Sequence, residues 1–175
     1  MLLGFITREP LSGYGLKKRF SASPAGLYQP SPGALYPALR RLELKGLVQA
    51  QADQNGNSAR QRRVYELTQT GQAAHLSWLR TPIEPATVAR DLGLHLMRFV
   101  MMEHQLPPVE VLAFLRDLAD ELGAFTAQLE RYAAAADLDN THARLALDHG
   151  LAVHRASLQW AERTIAALSA TPPRP

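Results

Sequence analysis

Three arginines, Arg60, Arg62 and Arg63, fall within four residues, just after an Asn-Gly turn at 55–56, with no acid among them. Guanidinium groups crowded at the tip of a hairpin suit contact with phosphates along a backbone or in a minor groove. A second cluster begins at Ser31. Ser31, Gly33 and Ala34 are small, so a helix starting there brings its free amide groups close to a phosphate or a base edge. Tyr36 and Arg40 project from faces the leucines of that helix do not use, whereas Arg41 suits solvent equally well. Ser12, Tyr14 and Lys17, from the preceding helix, are placed to grip a phosphate from the side, with core packing the alternative for Tyr14. Lys18 and Arg19 read as solvated faces, and Tyr65 as packing beneath the hairpin.

Other chemistries are poorly served. The chain has no cysteine, which removes disulfides, thiolate nucleophiles and cysteine zinc sites and suits a cytoplasmic protein. None of its six histidines pairs at the i, i+4 spacing of a helical metal site, and the expected metal and cofactor are none. His154 falls on a heptad seam and reads as a satisfied core or interface histidine. There is no glycine-rich phosphate loop and no Ser/His/Asp arrangement. Asp120 and Glu121 read as a solvated helix face, so no enzyme is expected. Trp78, Phe99 and Met102 are the residues an apolar effector pocket would use, with core packing the plainer role. Trp78 falls beside the junction of the two halves.

The elements that must position these residues follow from periodicity and punctuation. A short apolar helix over 2–8 ends before Pro10, and MLLGFITREP reads as core rather than as a signal peptide. Ser12 caps a helix over 13–21 in which Leu16 and Phe20 share a face. Ser31 caps a third, with Pro32 at its first position, Leu35, Leu39 and Leu42 inward, Pro37 within it and Gly46 as its stop. LVQAQAD and RRVYELT are strands flanking the basic turn. Thr68 caps a helix over 69–80 with Ala73, Leu76 and Leu79 inward. TPIEPAT marks a boundary, so the expected division is 1–80, a linker over 81–85, a helical region over 86–170 and a disordered tail over 171–175. Val88, Leu92, Leu96, Phe99 and Met102 suggest one helix over 86–104. A long helix over 108–136 and another from Asp139 or Asn140 to about 170 carry heptads. A short connection between helices of matched length predicts an antiparallel hairpin. Leu115, Leu122, Phe125, Leu129, Leu151, Leu158 and Ile165 are the expected dimerisation seam.

Charge divides along the same boundary. Residues 1–80 carry 11 Lys and Arg against 4 Asp and Glu, a net of +7; residues 81–175 carry 8 Arg against 12 acids, a net of −4. A basic half beside an acidic one suggests that the first meets a polyanion and the second does not. No segment reaches the ~18 apolar residues of a bilayer span, and no membrane partner is expected.

The stretches LSGYGLKKRF, PSPGALYPALRRLELKGLV and RRVYELTQTGQAAHLSWL resemble the PadR family of bacterial regulators over residues 2–80. DLGLHLMRFVMMEHQLPPVEVLAFL, within 86–136, resembles the C-terminal domain of the larger PadR-like subgroup. The resemblance implies a mainly α fold: an N-terminal winged helix-turn-helix of three to four helices plus a β-hairpin wing, with a C-terminal antiparallel helical dimerisation domain. It also implies a dimeric DNA-binding transcriptional regulator, a repressor or an activator, responding to a small aromatic or antibiotic-like molecule; a repressor released by a small aromatic or apolar effector is the expected mode. Family members usually carry more residues before the first helix, so either a short first helix or a truncated start is expected here. One domain neutralising ~4 phosphates binds weakly. Two copies on a palindromic operator, half-sites about 34 Å apart, reach useful affinity. A winged-helix interaction module that does not read DNA and a small-molecule-binding helical protein are the alternative readings.

Overall fold

The computed structural model describes residues 1–22, 31–52, 63–135 and 140–170. The Asn-Gly turn, Arg60, Arg62 and the 171–175 tail lie outside the described residues. The chain divides into two compact units between Thr81 and Pro82.

The first unit runs α1 (Leu2–Ile6), β1 (Leu11–Ser12), α2 (Gly13–Ala22), α3 (Pro32–Leu44), β2 (Val48–Ala52), β3 (Arg63–Leu67) and α4 (Gln69–Leu79). Its antiparallel sheet has the order β1-β3-β2, with Leu11 opposite Tyr65 and Val48 opposite Leu67. The helices close over one core of Phe5, Ile6, Leu16, Phe20, Leu35, Leu39, Val48 and Leu79. Phe5 and Phe20 meet with ring centroids 4.4 Å apart.

Helix ends follow local chemistry. Ser31 Oγ accepts from the Ala34 amide at 3.2 Å, and Thr68 Oγ1 from that of Gly71 at 3.0 Å; both satisfy first-turn donors that lack a helical partner. α3 stops in a Schellman motif: the Leu47 amide donates to the Leu42 carbonyl and that of Gly46 to the Glu43 carbonyl, both at 2.9 Å. Gly46 takes φ +66°, a backbone a side chain would strain. At Gly71 the reason is a close approach, since a Cβ there would stand 1.8 Å from the Leu47 carbonyl oxygen. The buried face of α4 is accordingly Gly71, His75 and Leu79. Ala73, expected inward, is exposed, and Leu76 is half-buried; the axis turns on the Gly71 contact, and His75 fills the core position.

The second unit runs α5 (Pro85–Arg90), α6 (Leu92–Met102), α7 (Pro108–Ala135) and α8 (Thr141–Ala170). The single helix expected over 86–104 is two. Asp91 leaves the helical region at φ −123°, ψ 28°, and its carbonyl starts α6 by accepting from the Leu94 amide at 2.8 Å. Its side chain makes no cap hydrogen bond there and instead accepts from Arg90 Nε at 3.1 Å. The break shifts the register: Val88, His95, Met97, Arg98, Met101 and Met102 are buried, while Leu96 is 38% exposed. Leu92 and Phe99 are half-buried.

α7 and α8, of 28 and 30 residues, are about 42 and 45 Å long and pack on each other as a hairpin. Asn140 Oδ1 opens α8 by accepting from the amides of His142 at 2.9 Å and Ala143 at 3.2 Å. Phe125 stands edge-on to His154 at 4.7 Å, and Glu130 accepts from Arg155 at 2.6 Å. Leu115 and Leu122 are 0% exposed, and Leu151 is buried. Read as a seam between chains, these three are instead consumed inside one chain, because the heptads of α7 are met by α5 and α8 of the same chain. Phe125, Leu129, Leu158 and Ile165 are half-buried. Tyr132, Leu145, Val153 and Leu168 remain exposed. Among the described residues no helix is long and apolar enough to cross a membrane.

Candidate nucleic-acid interface

α3 turns Leu35 and Leu39 into the core of the first unit, which leaves Tyr36, Arg40, Glu43 and Leu44 together on its outer face. That face forms one wall of an open cleft of about 780 Å³, and the end of β1, the start of α2 and strand β3 form the rest. Of the residues singled out by type and spacing, Ser12, Tyr14, Tyr36, Arg40 and Arg63 line it. Lys17, Ser31 and Gly33 do not line the cleft, though all three are exposed.

Tyr14 is 69% exposed, so core packing is not its role. Ser12 Oγ accepts from the Gly15 amide at 3.1 Å; its oxygen is used as a cap, and its hydrogen is what it has left to donate. Tyr36, 53% exposed, lies over Gly13, where a Cβ would stand 2.6 Å from its Cε1. Among the described residues an added Cβ at Gly33 would meet nothing nearer than Ser31 Oγ at 3.8 Å, and glycine keeps the backbone of this first turn of α3 uncovered by a side chain of its own. Pro37 has no amide hydrogen to give the Gly33 carbonyl, so that oxygen too lacks its helical partner.

The charges are not equally available. Arg63 Nη2 donates to Glu43 Oε1 at 2.6 Å, and its guanidinium stands 5.9 Å from the Tyr65 ring centroid. The absence of an acid near the wing arginines, clear within 60–63, does not hold in space for Arg63, because α3 brings one to it. Arg19 is ion-paired with Glu9. Arg40 and Arg41 are exposed and have no ion pair among the described residues. Tyr65 is buried beneath the hairpin.

Gly13, Glu43 and Leu44 were missed from the sequence. Leu44, 79% exposed, follows Leu42 by only two residues, off the spacing of the buried leucines, and faces out. Gly13 announced itself only as part of a turn-like Ser-Gly-Tyr-Gly.

The residues considered for an effector pocket fall in different units. Trp78, in the first, stacks on the buried His75 with centroids 5.8 Å apart. Burial pushes the His75 imidazole down to about 4. In the second, Phe99 meets Trp160 edge-on at 5.5 Å, and Met102 is wholly buried, which makes it core rather than pocket lining. Among the described residues no group of three His, Asp or Glu side chains is placed to hold a metal ion.

Residues 2–76 match the family described as the transcriptional regulator PadR-like family, and residues 96–169 match that described as virulence activator alpha C-term. No curated protein sequence matches the chain. Among solved structures, PadR of Bacillus subtilis in complex with operator DNA aligns at 20% identity over 95% of this chain and 96% of that one, with a TM-score of 0.45. The virulence activator AphA of Vibrio cholerae aligns at 27% identity over 97% and 96%, with a TM-score of 0.42. A PadR-like regulator of Bacillus cereus aligns at 23% identity over 97% and 96%, with a TM-score of 0.40. By these matches residues 2–76 carry a PadR-like transcriptional-regulator domain, and residues 96–169 carry the C-terminal helical region of the virulence-activator type.

Proposed function

We propose that the protein binds double-stranded DNA at a palindromic operator as a homodimer and represses transcription until a small aromatic or apolar effector releases it. The observation that carries the DNA reading is the cleft of the first unit. Tyr14, Tyr36 and Arg40 open on it together, in the half of the chain with a net charge of +7. A helix whose outer face offers an arginine and a tyrosine, and whose first turn is bare backbone, fits the major groove, with the arginine directed at guanine or phosphate. DNA as partner assigns the protein to the cytoplasm.

Anisotropy of a labelled mixed-sequence duplex, titrated between 50 and 200 mM salt, tests this directly. The parent chain is expected to weaken steeply with salt. Arg40→Ala is expected to lower affinity, and to flatten the log–log slope by about 0.9 if Arg40 meets a phosphate. A flat salt response of the parent chain refutes the DNA reading.

The homodimer is supported by the apolar side chains α7 and α8 leave uncovered, Val109, Tyr132, Leu145, Val153 and Leu168, in the half of the chain with a net charge of −4. Sedimentation equilibrium giving a monomer at micromolar concentration overturns it. For the effector, Trp78 and Trp160 give one fluorescent reporter in each unit. A ligand that quenches either without changing duplex affinity counts against release as the mechanism.

A further inference from the structure

Glu43 is the one carboxylate among the described residues that line the cleft, and it stands on the same face of α3 as Tyr36 and Arg40. An acid there opposes phosphate. The fold gains little from it, since its pair with Arg63 is open to solvent on both sides, 61% exposed at Arg63 and 29% at Glu43, and exposed ion pairs add little to stability. Arg63 is also the described residue of β3 nearest the hairpin tip, opposite Ala52 at the end of the ladder. Its guanidinium is a fork of five donors that fits a carboxylate and a phosphate alike.

We propose that Glu43 is an intramolecular competitor for Arg63: the carboxylate holds the guanidinium in the free protein and yields it to a DNA phosphate on binding, which weakens any complex held by charge alone. The inference rests on the DNA reading above. Binding then exchanges one anion for another at Arg63 and leaves Glu43 unpaired beside the duplex. The wing arginine adds to affinity only the difference between its two partners. The rival role is a strut, in which the pair sets the angle of the hairpin against α3 and assists binding.

Charge removal separates the two roles. Glu43→Gln keeps an oxygen that can accept from Arg63 but removes the competing charge. Glu66→Gln removes the same charge from β3, where Glu66 accepts from the side chains of Gln49 at 3.2 Å and Gln51 at 3.0 Å and does not line the cleft. With the full-length chain and a mixed-sequence 40-base-pair duplex, Glu43→Gln is expected to bind more tightly than the parent at every salt. Its log–log slope should be steeper by about 0.9, an extra three- to fourfold or so in affinity change between 50 and 200 mM. Glu66→Gln should move both by less than half as much. Arg63→Ala should cost more affinity in the Glu43→Gln background than in the parent, because the arginine there gives up no ion pair on binding. A strut reverses the last result, since Glu43→Gln would already have loosened the pair. Equal or weaker binding by Glu43→Gln, or an Arg63→Ala cost no greater in its background, overturns the proposal. If the parent binds with a steep slope and Glu43→Gln fails to tighten it, the competitor alone is lost. If the parent shows no salt-dependent binding, the DNA reading falls first and takes this one with it.

Discussion

Replacing Gly13 by alanine should separate the site from the fold. A Cβ at that position would stand 2.6 Å from Tyr36 Cε1, 3.1 Å from Cζ and 3.2 Å from the hydroxyl oxygen. Restoring ordinary contact near 3.4 Å needs the ring edge to move by about 0.8 Å. The obstructing atoms are the far end of a side chain that is more than half exposed, so the ring swings outward and the backbone stays. Alanine gains up to about 1 kcal/mol of helix preference, less in a first turn. Lost packing of the ring on Gly13 offsets that by a comparable amount, so stability should remain within about 1 kcal/mol of the parent. Binding should not. If Tyr36 reads a base edge or grips a phosphate from this seat, displacing it costs about 1–3 kcal/mol, or about 5- to 150-fold in Kd. Thermal melting and duplex anisotropy, run on Gly13→Ala, Tyr36→Ala and the double variant, check both halves. The double variant should bind no worse than Tyr36→Ala. Unchanged affinity in Gly13→Ala, or a full additional loss on top of Tyr36→Ala, refutes the claim that Gly13 acts through the tyrosine.

Gly71→Ala should do the opposite, because the Cβ would stand 1.8 Å from a backbone oxygen, that of Leu47, which also accepts from the Thr68 amide at 3.3 Å. Nothing flexible can yield, and a stability loss of about 1–3 kcal/mol or more is expected; a urea midpoint equal to the parent's contradicts it. Stability should also fall on acidification. Burial holds His75 at about 4 when folded, against 6.5 for the free side chain, and lowers His95 and His154 as well. The unfolded chain then binds more protons, so the stabilisation is complete above 6.5 and is lost as the pH falls towards 4. His75→Leu should reduce that slope, read from urea midpoints at pH 7.5 and 5, and an undiminished slope assigns the effect to other groups.

Much of the first unit was legible because its instructions are local. Ser31, Pro32 and Gly46 bracket α3 by capping chemistry that acts within one turn, and Thr68 starts α4 in the same way. The strands flanking the Asn-Gly turn needed only alternation and a turn signal. Ala73 was misread because helical periodicity allows neighbouring faces, and the choice between them came from Leu47, more than twenty residues away. The carboxylate partner of Arg63 was hidden for the same reason: Glu43 and Arg63 are twenty residues apart, and only the sheet brings them together.

In the second unit periodicity was read correctly as burial, and for Leu115, Leu122 and Leu151 the cover comes from the same chain. A heptad states that one stripe of a helix leaves water, and it does not say whose surface covers the stripe. Leu115, Leu118 and Leu122 are covered by their own chain, since the connection after α7 is short enough to return α8 along it. What a second copy could cover is therefore set by the residues the hairpin leaves over: Val109, Tyr132, Leu145, Val153 and Leu168 are exposed, and Phe125, Leu129, Leu158 and Ile165 are half-buried. Asp91 shows the complementary failure. A long apolar pattern suggested one helix, and the non-helical backbone of Asp91 divides it, with Leu96 turned out and Arg98 in. The buried guanidinium of Arg98 then lies 4.9 Å from the Phe114 ring centroid, a placement no hydrophobic periodicity would nominate, because the arginine stem packs as an apolar chain while an aromatic face takes the charge.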